Sequence, residues 1–370
     1  MYHLERYYRL ELSQNEFVTS PEHIEFLSAK YDIPTPDVLM MALNLSGIKT
    51  DAIPENRVRF NFMLNGWSKP FFLALCVNTR RSPFELRDSK IFFSGEEIGR
   101  VFGLERDACD NSYFRRHNTS LTLNSNARST CKGCAMCGTY SQDVDDLYTL
   151  SNVQRLSSHL QDIFARNNIR DASQLVQTTI CTGCFGSEKE TLDHILMVNK
   201  VLRRFGFSGV LRYIGSEINS SEALDKIAEE VESFALSVTT EVFTRRQQLL
   251  KLHKAQLNLD ETKRLLFEAS QRGFKTNILY VLGLDPLEAV EEEFRKLSGV
   301  ITEFPTINLM QNYLPGQERL RDPSARTIDY YLLARQRLEE IFLPTPLRPN
   351  LWENYRPLWY TTFAGEPIYE

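Results

Sequence analysis

Thr119-Ser-Leu-Thr-Leu-Asn-Ser125 runs on into a loop that carries Cys131-Lys-Gly-Cys134-Ala-Met-Cys137. The first stretch reads as a β-strand, and the second places three thiols on one short loop directly after it. From this strand onward, strand-like and helix-like segments alternate. Val153, Leu156, Leu160, Ile163 and Phe164 recur at helical spacing, followed by a β-rich run over Leu175–Cys181. A second helix is marked by Leu192, Ile195, Leu196, Leu202 and Phe205, and ends near Gly206. Strands over Val210–Ile214, Phe234–Val238, Ile278–Leu282 and Thr306–Met310 alternate with helices around Leu224–Val231 and Val290–Leu297. Between the second and third of these strands, a long helical region breaks near Asn258 and runs to Gly273, a C-cap candidate. Alternation of this kind predicts parallel β-α units. Six such units are too few for an eight-unit barrel and fit either a partial barrel or a doubly wound sheet.

The region before residue 116 has a different character. Glu22–Lys30 and Pro36–Asn44 look helical. Arg57–Leu64, Phe71–Asn78 and Lys90–Phe93 look like strands separated by turn signals such as Asn65-Gly66 and Arg81-Ser-Pro83. The expected fold class is therefore α/β: a partial (β/α)6 TIM-like barrel over 116–320, an N-terminal α+β extension over 1–115, and a C-terminal helical and irregular tail over 321–370. That tail holds a helix over about Ala325–Phe342, then a stretch rich in proline and aromatics, Pro344–Tyr369. Trp352, Trp359 and Tyr360 are read as anchors of this arm, with shielding of an active site as the alternative.

Composition narrows the function classes. With 370 residues and 42% hydrophobic content, the chain can bury a substantial core. A formal net charge of −5 gives no basic field for nucleic acid. No apolar run reaches the roughly 18 residues of a membrane span, and Met1-Tyr-His-Leu-Glu-Arg does not open like a secretory signal. Five of the seven cysteines fall in two tight clusters, which suits cytoplasmic metal binding better than a disulfide framework. Cys76 and Cys109 stand alone and read as structural.

Three thiolates on one loop can hold three irons of a four-iron cluster, leaving the fourth iron open to a small ligand. In parallel β-α folds such sites lie at the carboxyl ends of strands, where this loop falls. The combination resembles the radical S-adenosylmethionine (radical SAM) superfamily over about residues 117–320. That family usually spaces its cysteines C-x3-C-x2-C, whereas here the spacing is C-x2-C-x2-C. Met136 stands where the family often has an aromatic residue whose backbone contacts adenine. After the next strand comes Cys181-Thr-Gly-Cys184-Phe-Gly-Ser-Glu188. There the resemblance assigns Gly183, Cys184, Phe185 and Gly186 to the loop that binds the amino group of S-adenosylmethionine, with backbone carbonyls in place of the family's acidic residue. It further suggests Glu217 and Glu241 for hydroxyl contacts, Arg245 or Arg246 for a carboxylate, and Gly283 beside adenine.

The resemblance implies a [4Fe–4S] cluster on Cys131, Cys134 and Cys137, chelated at its open iron by S-adenosylmethionine. One-electron reduction would release a 5′-deoxyadenosyl radical that takes hydrogen from an organic substrate. It also implies an oxygen-sensitive protein and a flavodoxin- or ferredoxin-type reductant. The expected substrate is a small molecule of cofactor or specialised metabolism. A peptide, presented as an added strand on the N-terminal region, is the alternative. No cysteine follows Cys184, so the auxiliary clusters of some peptide-modifying relatives are not expected, nor is a cobalamin-binding domain.

A different class of reading stays open beside this one. Cys131-x2-Cys134 and Cys181-x2-Cys184 make two C-x2-C pairs, the spacing of a four-cysteine zinc site in a non-redox interaction protein, with Cys137 left over. Cys181 or Cys184 could also act as a hydrogen donor, or be buried small apolar residues. Arg115, Arg116 and His117 read as a solvated basic turn, and no nucleophile motif or phosphate-cradling loop is present.

Overall fold

The computed structural model describes residues 17, 20–53, 56–78, 82–107, 112–126, 133–137, 150–314, 316–350 and 354–369. Cys109, Cys131, Arg81 and Trp352 lie outside the described residues. The chain divides into two compact units. One comprises Met1–Asp107, Val281–Arg295 and Ile307–Tyr369; the other comprises Ala108–Tyr280 and Lys296–Thr306. Among the described residues no helix is long and apolar enough to cross a membrane.

The first unit opens with helix α1 (Pro21–Tyr31) and helix α2 (Thr35–Ser46). The Ser20 hydroxyl caps α1 by accepting the His23 N–H at 3.3 Å, and proline occupies its first turn, where a missing N–H costs nothing. An antiparallel sheet follows: β1 (Arg57–Leu64), β2 (Phe71–Cys76), β3 (Phe84–Arg87), β4 (Lys90–Phe93) and β5 (Glu96–Arg106), in the order β2-β1-β5-β4-β3. Sequence reading finds β1, β2 and β4 but not β3 or β5. The β5 stretch contains five charged residues and two glycines, which propensity counts against a strand. It is a strand because it is paired on both sides, by β1 and by β4, and that tertiary pairing overrides local preference.

The two outer strands of this sheet each bond to neighbouring chain. Lys49 donates its N–H to Phe84 O at 2.8 Å and accepts the Leu86 N–H at 2.8 Å, capping β3. On the β2 edge, Ala74 N–H donates to Tyr355 O at 3.3 Å, and Cys76 O accepts the Ile48 N–H at 2.9 Å. Strand β5 pairs with β4 only over Glu96–Arg100 and with β1 beyond it, where Phe102 is 51% exposed. Helix α10 (Ile328–Phe342) belongs to the same unit, and the C-terminal arm is anchored to it. Trp359 Nε1–H donates to Glu339 at 2.8 Å, and Asn44 Nδ2–H donates to the Tyr360 hydroxyl at 2.7 Å.

The second sheet contains β6 (Tyr113–Arg115), β7 (Ser120–Leu123), β8 (Gln177–Cys181), β9 (Val210–Gly215), β10 (Phe234–Glu241), β11 (Lys275–Leu282) and β12 (Thr306–Leu309), in the order β12-β11-β10-β9-β8-β7-β6. Neighbouring strands from β7 to β11 are parallel. Strand β6 adds an antiparallel edge that the sequence reading did not foresee. Its turn through Arg116, His117 and Asn118 is left-handed, with φ of 50°, 51° and 65°. Arg115 is buried at 5% exposure, so only part of the expected solvated turn is solvated.

Helices α3 (Val153–Arg166), α4 (Glu188–Arg204), α5 (Ser221–Glu230), α6 (Arg246–Leu249), α7 (Leu252–Gln256) and α8 (Leu259–Gln271) lie between successive strands, and α9 (Leu287–Leu297) follows β11. The expected break at Asn258 is a capping box: the Asn258 side chain accepts the Glu261 N–H, and Glu261 accepts the Asn258 N–H. Strands in strictly sequential order have no switch point, which excludes the doubly wound alternative. Right-handed crossovers then put the helices on one face, so the sheet curls around the other as in a partial barrel.

Strand register assigns the two faces. Leu121, Leu123, Ile180, Leu211, Leu236, Val238 and Ile278 form the apolar one, and Tyr213 on that face meets Thr191 of α4. The opposite face carries Thr122, Thr179, Arg212, Ser237, Thr239 and Asn277 in adjacent registers. Arg212 there donates to Ser237 at 2.8 Å and pairs with Glu303.

Candidate metal and cofactor site

The loop after β7 and the loop after β8 both leave the carboxyl edge of the parallel sheet. In the first, Cys137 N–H donates to Cys134 O at 2.9 Å, forming a tight turn that keeps two of the three cysteines on one side of the loop. Ala135 N–H donates to Leu249 O at 2.8 Å, tying the turn to the end of α6. Cys134 is buried at 7% exposure and Met136 at 6%.

The second loop is fixed by a residue that sequence reading passed over. Asn126 accepts the Gly183 N–H at 3.2 Å through its backbone carbonyl, and its Nδ2–H donates to Gly183 O at 3.2 Å and Cys184 O at 3.1 Å. Each carbonyl keeps a second lone pair. The Phe185 ring packs on His194 with centroids 4.9 Å apart, and the Ser125 hydroxyl lies 2.7 Å from His194 Nε2. Burial pushes the His194 imidazole down to about 4, so it is neutral at pH 7. Gly186 N–H donates to Glu190 at 2.9 Å; a Cβ at this position would stand 2.9 Å from the same carboxylate oxygen, so a side chain could not be accepted without displacing it.

The strand-end residues divide into committed and open groups. Glu217 is buried at 2% exposure and accepts the Tyr213 hydroxyl and the Ser216 N–H on one oxygen. Burial, and then the Glu217 charge, hold the Tyr213 phenol well above its ordinary pKa. Arg246 is not placed for a carboxylate ligand. Its guanidinium donates to the carbonyls of Leu257, Thr240, Val242 and Lys254 at 2.6–3.1 Å, organising the turn between α6 and α8. Arg245 is the N-cap residue of α6. Gly283 belongs to the other unit, at φ +112°, where a Cβ would lie 2.5 Å from the Tyr331 hydroxyl.

Glu241 ends β10 in a left-handed conformation, φ +59°, just past a register shift. One carboxylate oxygen pairs with Lys254 at 3.0 Å, and the other, Oε2, is buried without a hydrogen-bond partner among the described residues. Three more buried oxygens without partners among the described residues, Ser216 Oγ, Thr239 Oγ1 and Thr240 Oγ1, lie at the carboxyl ends of β9 and β10. Unpartnered polar atoms concentrated in this way suit a bound polar group.

The electrostatics centre on Cys134. Burial pushes its thiol up to about 12; the Lys254 ammonium opposes this, as does a hydrogen bond from the Lys251 backbone amide, while Glu241 adds to it. Burial works against the charge on Lys254, but Glu241, Cys184 and Cys134 together hold its pKa well above that of a free lysine. Lys254 was invisible in the sequence because its partners come from three other segments of the chain.

A cysteine-ligated cluster fits these residues. Two thiols share one turn, a buried cation and a backbone N–H face the inner one, and the third thiol of the motif, Cys131, lies outside the described residues. Among the described residues no three His, Cys, Asp or Glu side chains converge as a metal set. Cys134, Cys181 and Cys184 therefore form no such triple, which a zinc site drawn from both C-x2-C pairs would require.

No protein-family model matches the chain, and no curated protein matches it. Solved structures do. A radical SAM methyltransferase from Sphaerobacter thermophilus is similar over 93% of this chain and 95% of its own, at 13% identity and a TM-score of 0.43. SuiB from Streptococcus suis, bound to S-adenosylmethionine, is similar over 61% of this chain at 11% identity and a TM-score of 0.41; this chain spans 48% of its length. TsrM from Kitasatospora setae, a radical S-adenosylmethionine methyltransferase with cobalamin and a [4Fe-4S] cluster bound, is similar over 52% of this chain and 36% of its own, at 11% identity and a TM-score of 0.32.

Proposed function

We propose that the chain is a radical SAM enzyme acting on a small organic molecule. The observation that carries this reading is the three-cysteine loop at the carboxyl edge of a sequentially wound parallel sheet, with a buried ammonium set against its inner cysteine. Cys131, Cys134 and Cys137 would hold the cluster. When bound, a [4Fe–4S] cluster with S-adenosylmethionine supplies a 5′-deoxyadenosyl radical by one-electron reduction, the species that takes hydrogen from the substrate.

The chain's own residues bind, orient and exclude water. The Asn126-braced loop presents the backbone of Gly183, Cys184, Phe185 and Gly186 to the cosubstrate's amino group, and the Met136 backbone lies on the adenine side. Glu241 Oε2 accepts from a hydroxyl, which gives its unpartnered oxygen a donor. Glu217 and Arg245 remain secondary candidates for cosubstrate contact. A flavodoxin- or ferredoxin-type protein supplies the electron.

The test is anaerobic reconstitution with iron and sulfide, incubation with S-adenosylmethionine and dithionite, and quantification of 5′-deoxyadenosine against a Cys134→Ala control. Product in the wild type alone supports the reading. A fully loaded wild type that forms none overturns it.

A further inference from the structure

The segment from Leu249 to Lys254 meets the cysteine loop at successive points. Leu249 O accepts the Ala135 N–H at 2.8 Å, and the Lys251 amide is hydrogen-bonded toward the Cys134 sulfur. Lys254 Nζ pairs with Glu241 at 3.0 Å, with the two side chains only 15% and 14% exposed. One guanidinium holds both halves of that pair in place. Arg246 donates to Lys254 O at 2.6 Å, and also to Thr240 O at 2.7 Å and Val242 O at 2.8 Å, the two residues that flank Glu241. The left-handed Glu241 backbone is thus fixed from both sides, and strain of this kind persists only where surrounding structure enforces it. A part-buried ammonium is held more cheaply where negative charge faces it. Glu241 supplies one such charge. Both partners act on Cys134, and with opposite sign: the Lys254 ammonium favours its thiolate and the Glu241 carboxylate opposes it.

We propose that Lys254, gripped by Glu241, is a positioning cation for the cysteine-held cluster: it offsets the negative charge that the thiolates bring and keeps the cluster's reduction potential high enough for a protein reductant. This inference rests on the iron–sulfur reading of the loop. Cluster potentials depend on net charge, burial and hydrogen bonds to sulfur. Reduction adds an electron, so a nearby cation stabilises the reduced form and a nearby carboxylate opposes it. The two partners therefore act with opposite sign, which a purely structural ion pair would not do.

The experiment is a redox titration of the reconstituted cluster, followed by electron paramagnetic resonance of the reduced form, on wild type, Lys254→Met, Glu241→Gln, the double variant and Lys254→Arg. The expected result is a more negative midpoint potential for Lys254→Met and a less negative one for Glu241→Gln. The double variant should fall between the two, and Lys254→Arg should stay near wild type. Should Lys254→Met fail to fold or load, the Glu241→Gln shift and the Lys254→Arg match decide the matter. Equal potentials at equal cluster content, or shifts of one sign in both single variants, overturn the inference while leaving the cluster assignment intact. A wild type that takes up no iron–sulfur cluster overturns the cluster assignment and this inference together.

Discussion

Two ion pairs, a fully buried one in the first unit and a part-buried one in the second, show opposite designs. Asp37, on α2, is fully buried and accepts the N–H groups of Tyr360 and Thr361 at 2.7 and 3.2 Å and the Thr361 hydroxyl at 2.6 Å, besides pairing with Arg335. Arg335 in turn donates to Glu339 at 2.8 Å and to Thr361 Oγ1 at 3.1 Å. The carboxylate of this pair is closed, with both oxygens engaged, while Arg335 Nη1 meets Asp37 as an ion pair alone; the pair fastens helices near the two ends of the sequence to the C-terminal arm. Glu241 and Lys254 make an open pair: one carboxylate oxygen has no hydrogen-bond partner, the backbone is left-handed, and cysteines lie in the cation's field. A buried acceptor left without a donor costs about 1–3 kcal/mol. A closed network earns stability from its charges, whereas an open one keeps them available to a ligand.

The largest expected effect falls on the open side. Cys134→Ala or Cys137→Ala should reduce 5′-deoxyadenosine formation by more than the ~10–100-fold typical of residues behind the metal ligands, while Cys181→Ala should retain product. If Cys181→Ala unfolds the protein and Cys137→Ala is mild, the two-pair zinc arrangement replaces this one.

On the closed side, Asp37→Asn leaves Arg335 buried without its counter-charge. It should lower stability in urea unfolding by about 3–5 kcal/mol. A loss below about 1 kcal/mol would erase the distinction drawn between the two pairs.

His194, under the second loop, gives a pH test of intermediate size. Its folded pKa is about 4 against an ordinary 6.5, so the folded state binds fewer protons than the unfolded chain in between. Stability from this group is complete above pH 6.5 and is lost as pH falls toward 4, by about 3 kcal/mol in all. Acid unfolding monitored by circular dichroism should show this slope in wild type and lose it in His194→Gln. An unchanged slope would place the titrating group elsewhere.

The smallest effect is expected for Glu241→Gln, about 1 kcal/mol of stability, because this pair is only part-buried, at 15% and 14% exposure, and a neutral amide can still accept from Lys254. A loss as large as that of Asp37→Asn would make the Glu241–Lys254 pair another structural clamp.

Much of the parallel sheet was legible because helical and strand periodicities are local signals. Val153 to Phe164 and Glu188 to Arg204 each bury one face, and Asn258 and Gly273 punctuate their helix as turn chemistry requires, Gly273 with φ +80°. Strand β5 was not legible, since its charges and glycines conceal a strand that exists only through its two neighbours. The hairpin of β6 and β7 was likewise hidden, because three successive non-glycine residues with positive φ carry no compositional mark.

The site followed the same division. Cysteine spacing after a strand named Cys131, Cys134 and Cys137 as ligands, since several ligands from one loop must lie close in sequence. The sequence by itself thus determined the alternation of β-α units and the thiol-rich loop with its candidate ligands. Only the tertiary structure decided that the strands wind in one direction, that Asn126 braces the second loop, that Arg246 serves the backbone and that Lys254 faces Cys134. The physical reason is one of range. Periodicity and ligand spacing act over a few residues, whereas the charge balance of a buried site is set by groups that only folding brings together.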